Sequence, residues 1–99
     1  MEDYIPSVVQ AISGPDFTVY AYFTDGTIRL ADVKPLIEKG GVFDRIADEA
    51  VFEELLTVMN GTVAWDVAGG RDAFGCIDLD PIALYEGSEI VADPLAEVA

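Results

Sequence analysis

Histidine is absent from the 99 residues, and its absence excludes more chemistry than any other feature of the sequence. Without an imidazole, the chain alone cannot build a Ser–His–Asp or Cys–His nucleophile system, a histidine general base, or a zinc site with a histidine ligand. Cysteine occurs once, as Cys76, so neither an internal disulfide nor a cage of thiolate ligands can form. We interpret Cys76, beside Ile77, as a small buried hydrophobic residue.

Positive charge is also scarce. Five Lys and Arg residues stand against nineteen Asp and Glu residues, which gives a net charge of −14. Such a chain repels phosphate backbones and anionic membrane surfaces, so we expect neither direct nucleic-acid binding nor a membrane partner. A small basic protein or a metal ion is what this charge would attract. The simpler interpretation is that dispersed carboxylates keep a small domain in solution.

Long apolar runs are missing as well. No uninterrupted apolar segment approaches the roughly 20 residues that span a bilayer, and residues 1–6 lack the basic-then-apolar order of an export signal. With a single cysteine, these features favour a cytoplasmic protein. The composition, 52% hydrophobic and 24% charged, is typical of a globular chain, and the length fits one domain over residues 1–99.

Two dipeptides indicate β-hairpins. Asp25-Gly26 lies between two segments rich in β-branched and aromatic residues, 17–23 and 27–33, and Asn60-Gly61 lies between segments 57–59 and 62–65. Both dipeptides favour two-residue primed turns, which need positive φ angles. Residues 7–13 predict a further strand before the first hairpin. Alternation in the first hairpin places Phe17, Val19, Ala21 and Phe23 on one face, opposite Tyr20 and Tyr22.

Three short helices are predicted, at 35–39, at 49–56 after the capping residue Asp48, and at 82–86 after Asp80-Pro81. Residues 67–75 are glycine-rich and predict a loop, and the chain becomes extended again at 76–79. The tail, residues 87–99, fits no pattern and stays unassigned. The fold class is therefore α+β: a mostly antiparallel sheet of two hairpins plus an N-terminal strand, with two or three short helices on one side.

The order of motifs along the chain resembles that of a known protein family. In sequence these motifs are Phe-Thr-Asp-Gly-Thr at 23–27, Asp-Val-Lys-Pro-Leu-Ile at 32–37, Gly-Gly-Val-Phe at 40–43, Asp48 with Phe52, Gly-Thr-Val-Ala-Trp at 61–65, Asp-Leu-Asp-Pro at 78–81 and Leu-Tyr-Glu at 84–86. Together they resemble the small bacterial family called domain of unknown function 2442, over roughly residues 5–86.

The resemblance implies a compact α+β domain with a strongly bent sheet and no established activity. Members of the family are often encoded beside another small protein, in what look like toxin–antitoxin pairs, and some carry a fused helix-turn-helix domain. This chain departs from the family in two places. Its segment 67–76 is longer than the turn common after the tryptophan. The 13 residues after Glu86 are too few for a helix-turn-helix, so direct operator binding is not expected.

Four aspartates form the best candidate for a metal-binding or catalytic site: Asp66, Asp72, Asp78 and Asp80. Asp78 and Asp80 are two apart on an extended segment, so their side chains point the same way and could hold Mg²⁺ or Ca²⁺. Carboxylate acid–base catalysis is a further alternative. The structural alternative is that Asp80 caps the helix after it, while Asp78 or Asp72 pairs with Arg71.

Aromatic residues supply candidate contacts with a partner. Tyr20 and Tyr22 lie on the outer face of their predicted strand, where they form either a cross-strand ladder or a docking surface. Trp65 fits either the core or an interface. Arg71 and Phe74 belong to the loop that follows Trp65, which is a plausible contact surface.

These observations favour a non-catalytic protein-interaction module with no cofactor, whose sharpest form is the antitoxin-like partner of a small basic protein. A metal-dependent or carboxylate-based enzyme that uses the four aspartates is the first alternative. A self-associating structural domain, such as a homodimer, is the second.

Overall fold

The computed structural model describes residues 6–71 and 75–95. Its elements are, in chain order, β1 Val8–Ser13, β2 Thr18–Phe23, β3 Ile28–Asp32, α1 Lys34–Lys39, a 3₁₀ helix Gly41–Ile46, α2 Glu49–Leu55, β4 Leu56–Met59, β5 Thr62–Trp65, β6 Ile77–Asp78, α3 Pro81–Gly87 and β7 Glu89–Val91. Antiparallel strands with a few short helices confirm the predicted α+β class.

The strands form two sheets, one with the order β1-β2-β3-β7 and one with the order β4-β5-β6. Strand β1 also touches the second sheet, where the Val8 N–H donates to the Gly61 carbonyl at 2.8 Å. The pairing of β1 with β2 is irregular between Val8 and Gln10, and such a bulge bends a strand. Both expected hairpins and the N-terminal strand are present, but they are divided between two sheets that meet at Val8.

The turn of the first hairpin differs from the prediction. Gly26 has a φ of +90°, whereas Asp25 does not adopt a positive φ, so the two-residue primed turn is wrong. Instead, the Gly26 N–H donates to the Phe23 carbonyl at 3.0 Å, and residues 24–26 form a three-residue loop. The Asp25 carboxylate accepts a hydrogen bond from the Thr27 N–H at 2.9 Å, which stabilises aspartate as a turn residue at a negative φ.

The second hairpin has the predicted turn. Asn60 and Gly61 adopt φ angles of 57° and 73°, and Met59 pairs directly with Thr62 across the two strands. Both central residues therefore have the positive φ that a primed turn requires. Asparagine and glycine tolerate this conformation better than other residues, which is why the dipeptide predicts the turn correctly.

Helices α1, α2 and α3 begin within one residue of the positions that the sequence predicts. The Asp48 carboxylate accepts a hydrogen bond from the Ala50 N–H at 2.8 Å, and the Asp80 carboxylate accepts one from the Ile82 N–H at 3.0 Å. Helices of six or seven residues are too short to form alone, so packing must stabilise them. In the parts of the chain that the structure describes, no helix has the length and apolar character needed to cross a membrane.

The core is built around Phe52 of α2. Its ring meets the ring of Phe17 edge-on at a centroid distance of 5.2 Å, and it meets the indole of Trp65 at 5.2 Å with a tilt of 47°. The predicted alternation of β2 is confirmed, because Val19 and Ala21 are fully buried on the side of the sheet that faces this cluster. The aromatic cluster therefore joins α2 to strands of both sheets.

Strand β7 was not predicted. It lies in the tail that the sequence left unassigned, and it pairs with β3 through Ile28 with Val91 and Leu30 with Glu89. The strand has only three residues, and Ile90 in its centre is 58% exposed. Three residues are too few for an alternating pattern to be recognised in the sequence.

We predict that Gly61→Ala lowers the free energy of unfolding by about 1–2 kcal/mol, because a left-handed backbone is unfavourable for alanine. The new Cβ would also lie 3.1 Å from the Ser7 hydroxyl oxygen. The control is Gly87→Ala, at a helical glycine whose φ is not positive and whose added Cβ would meet no atom within 4 Å. Urea unfolding of both variants checks the prediction, and equal losses would contradict it.

Candidate functional site

A groove of about 390 Å³ opens between the end of β3, helix α1 and helix α3. Its volume lies near the lower limit of ordinary ligand pockets. Most of its wall is apolar, formed chiefly by Val33, Leu36, Phe43, Leu79 and Leu84. The groove therefore offers a hydrophobic surface to a group that enters from solvent.

Among the described residues, every charged one that lines the groove is an aspartate: Asp32, Asp78 or Asp80. One oxygen of Asp32 accepts the Lys34 N–H at 3.1 Å, and one oxygen of Asp80 accepts the Ile82 N–H. The Asp78 carboxylate is exposed and has no partner among the described residues. Since each carboxylate accepts several hydrogen bonds, all three keep unused acceptor capacity.

The groove forms where strands of the two sheets end. Strand β3 ends at Asp32, and the Val33 N–H then donates to the Phe17 carbonyl at 2.9 Å, which fixes the start of α1. In the other sheet, β6 ends at Asp78. The Leu79 that follows is held to β5, because its N–H donates to the Val63 carbonyl at 3.0 Å. Both strand ends therefore direct an aspartate and an apolar neighbour to the same groove.

Helix α3 is held against β3 by a stacked cation. The Arg29 guanidinium carbon lies 3.7 Å from the centroid of the Tyr85 ring, and Nη1 donates to the Tyr85 carbonyl at 2.9 Å. Arg29 Nε also donates to the Thr27 hydroxyl at 3.2 Å. Stacking and hydrogen bonding at one residue fix both the position and the tilt of the helix.

The Tyr85 hydroxyl continues this contact to the first hairpin turn. It donates to Asp25 Oδ2 at 2.6 Å, and Asp25 Oδ1 accepts from the Thr27 hydroxyl at 2.7 Å. Hydrogen bonds from the Thr27 hydroxyl, the Tyr85 hydroxyl and the Thr27 backbone lower the pKa of Asp25 from 3.8 to about 2. The groove wall formed by α3 thus depends on a charged carboxylate outside the groove.

The lysine closest in sequence to Asp32 is bound elsewhere. Lys34 Nζ donates to both carboxylate oxygens of Asp16, at 3.1 and 3.2 Å. This hydrogen bond, strengthened by the charge of Asp16, raises the pKa of Lys34. Lys34 Nζ is therefore directed to Asp16, and the groove lining itself contains no basic residue.

The four aspartates of the predicted chemical site do not come together as expected. Asp78 and Asp80 both line the groove, whereas Asp66 does not, and Asp72 lies outside the described residues. Asp66 accepts the Arg71 N–H on Oδ2 at 3.0 Å, and its Oδ1 is buried without a hydrogen-bond partner in the described structure. Among residues 6–71 and 75–95, no three acidic or cysteine side chains lie close enough to hold one metal ion.

Of the two expected partners of Arg71, Asp78 is not bound to it, and Asp72 lies outside the described residues. Arg71 Nη1 donates to the Thr57 hydroxyl at 3.0 Å, and Nη2 donates to the Val58 carbonyl at 2.8 Å. Strand β4 presents these acceptors directly beside the loop, so neutral groups bind the guanidinium. The prediction that Asp80 caps the helix after it is confirmed, because its carboxylate accepts the Ile82 N–H at the start of α3.

The aromatic residues predicted to bind a partner separate into two groups. Trp65 is completely buried, so it belongs to the core and offers no surface to a partner. Tyr20 and Tyr22 are half-buried on the face of the first sheet opposite Val19 and Ala21, as alternation requires. Arg71 is exposed in its loop, whereas the predicted contact Phe74 lies outside the described residues.

The groove was missed at the sequence level, although a signal for it exists. Asp-X-X-Pro occurs at 3–6, at 32–35 and at 78–81, and the last two copies lie where a strand ends and a helix begins. The two copies are far apart in the chain, and their meeting depends on how the two sheets pack. A repeated strand-to-helix motif with an aspartate could have identified both walls, but not their proximity.

Searches against models of protein families, against curated protein sequences and against solved structures gave no match for this chain. The resemblance to the family called domain of unknown function 2442 therefore stays a prediction, which rests on the motifs quoted above.

We predict that Asp25 makes unfolding acid-sensitive. Because its pKa in the folded protein is lowered to about 2, the stabilisation is fully present above the ordinary value of 3.8 and is lost as the pH falls towards 2. Asp25→Asn cannot change its charge, so its stability should fall less steeply over this range. Urea unfolding at several pH values tests this, and parallel profiles for the two proteins would contradict it.

A second pH dependence is expected at Tyr22, whose hydroxyl donates to Asp93 Oδ1 at 2.5 Å. Partial burial and this hydrogen bond raise the pKa of Tyr22 from 10.0 to about 12. The folded state therefore retains the proton more tightly, and stability falls as the pH rises from 10 to 12. Tyr22→Phe should reduce this loss of stability at alkaline pH, which urea unfolding at each pH measures. Tyr20→Phe is the control. If stability falls as steeply in Tyr22→Phe as in the native protein, Tyr22 is not the group responsible.

Proposed function

We propose that this domain is a non-catalytic interaction module that binds a small basic protein through the groove between β3, α1 and α3. The observation that carries the proposal is the lining of the groove, which in the described part of the chain has an apolar wall with three aspartates and no basic residue. A basic segment with apolar side chains is complementary to such a surface. Its apolar groups lose water against the leucines, while its cations lie near the carboxylates.

The charge of the whole chain supports the same partner. With a net charge of −14, the domain attracts a basic protein over distances longer than those of direct contacts, and the attraction weakens as salt screens it. The same charge opposes association of two copies, because each would bring its own negative field to the interface. A homodimer therefore has weaker support than a basic partner.

The resemblance to the family called domain of unknown function 2442 adds a genomic position for the partner. If the resemblance holds, the partner is a small protein encoded next to this one, and the domain has an antitoxin-like role in the cytoplasm. In that role the acidic domain would cover a basic surface that its partner uses on another molecule. Nothing in this role requires the domain to carry out a reaction.

The enzyme alternative has less support from the site. It uses Asp66, Asp72, Asp78 and Asp80. Asp66 does not line the groove and binds the Arg71 backbone, and Asp72 lies outside the described residues. The structure shows Asp80 engaged in helix capping. A binding role uses the groove as it stands, with its apolar wall and its acceptors in place.

Site-specific photocrosslinking tests the proposal. A photoreactive phenylalanine analogue replaces Ala83, an exposed residue of α3 that lines the groove, or Glu53, an exposed residue of α2 that does not. In a lysate of the organism that encodes the chain, we expect one protein with more Lys and Arg than Asp and Glu to crosslink from position 83 and not from position 53. Its yield should fall as salt is raised.

The crosslinked protein is identified by mass spectrometry, prepared alone and titrated with the native domain. Asp78→Asn should weaken binding about fivefold, as expected for loss of one contact at the edge of an interface, and Glu53→Gln should leave it unchanged. Equal crosslinking from both positions, crosslinking to an acidic protein, or recovery of the domain alone would each contradict the proposal.

A further inference from the structure

We propose that the groove is an arginine site: it takes one arginine side chain of the partner, with the aliphatic stem on the leucines and the guanidinium among the three aspartates. This inference rests on the proposed function, because it specifies which part of the basic partner enters the groove. It follows from the shape of the lining, the arrangement of the acceptors and the absence of a basic residue within the lining.

The wall matches an unbranched apolar stem. Leu36 of α1, Leu84 of α3 and Leu79 between β6 and α3 line the same groove and belong to three different segments. A stem between them is in apolar contact on several sides. The methylene groups of arginine commonly pack in this way while the charged end stays near water and polar groups.

The arrangement of the carboxylates favours a guanidinium over a compact cation. No three acidic or cysteine side chains in the described ranges lie close enough to hold one metal ion, although Asp32, Asp78 and Asp80 all line the groove. An ammonium is a compact, strongly hydrated point charge. A planar guanidinium has five donors directed outward and can serve several acceptors at once.

The state of each acceptor is consistent with this ligand. Asp32 and Asp80 are held in place by hydrogen bonds from the Lys34 and Ile82 N–H groups, each to one carboxylate oxygen. Asp78 has no partner among the described residues and is free to turn towards a ligand. Two fixed acceptors and one adjustable acceptor would orient a guanidinium with little reorganisation of the groove.

Arginine is also the more suitable cation for a half-apolar site. Its guanidinium is more weakly hydrated than an ammonium, so less free energy is lost when it leaves bulk water. In the protein itself, Arg29 shows that this fold accommodates a stacked guanidinium, with its charge above the Tyr85 ring.

Small analogues of the side chain test the inference without the partner. The native domain, labelled with ¹⁵N, is titrated with n-propylguanidinium, which copies the end of arginine, and with n-butylammonium, which copies lysine. Guanidinium alone and n-propylurea serve as the stemless and the uncharged control. We expect amide shifts at Ala31, Leu36 and Leu84 with n-propylguanidinium, at lower concentration than with n-butylammonium, and none there with n-propylurea.

Matched variants locate the binding. Ala83→Phe places a ring at the groove and should abolish the shifts, whereas Ile82→Phe, on the next residue of α3 but outside the groove lining, should leave them unchanged. Asp78→Asn should raise the dissociation constant about fivefold, and Glu53→Gln should not. Far-ultraviolet circular dichroism of each variant confirms that it is folded before it is titrated.

The possible outcomes separate this inference from the proposed function. Absence of shifts up to the solubility limit, equal binding of guanidinium without a stem, or binding of n-butylammonium at the same concentration would overturn the arginine site. A basic partner that crosslinks from position 83 would then still support the proposed function. Conversely, groove shifts with n-propylguanidinium alongside failed crosslinking would refute the protein partner while supporting the guanidinium site.

Discussion

The contact between Arg29 and Tyr85 is the interaction on which the candidate site depends. Helix α3 has seven residues and buries only Leu84 fully, so it has little hydrophobic attachment of its own. The guanidinium above the Tyr85 ring adds a contact that is worth up to about 2 kcal/mol when it is shielded from water. The Tyr85 hydroxyl, at the far end of the same side chain, also donates a hydrogen bond to Asp25. Without these contacts, the groove would lose one wall.

The arrangement of the two sheets explains why a groove exists in so small a chain. Phe52 and Trp65 contact each other and are buried in the core. The groove opens where β3 and β6 end, beside α1 and α3. The acidic residues that cap or precede those helices then lie around an apolar opening, Asp32 and Asp80 among them.

Local chemistry determined how much could be predicted from the sequence. Asn60-Gly61 and the caps Asp48 and Asp80 act within a few residues of themselves, and the structure confirms each of them. Asp25-Gly26 predicts the right hairpin with the wrong turn, because the bonds of Asp25 to Thr27 and Tyr85 compete with the primed conformation. Strand β7 and the groove depend on partners far away in the chain, which no local pattern reveals.

The bonds that close the groove also impose an order of assembly on the chain. The hydrogen bond from Tyr85 to Asp25 spans 60 positions, and that from Arg29 to the Tyr85 carbonyl spans 56. Contacts between such distant residues form late, since a long loop must be closed first. The first hairpin can therefore fold on the ribosome well before α3 has been made. A nascent chain that has made the first hairpin but not α3 therefore lacks the groove, because Leu84 of α3 forms part of its wall.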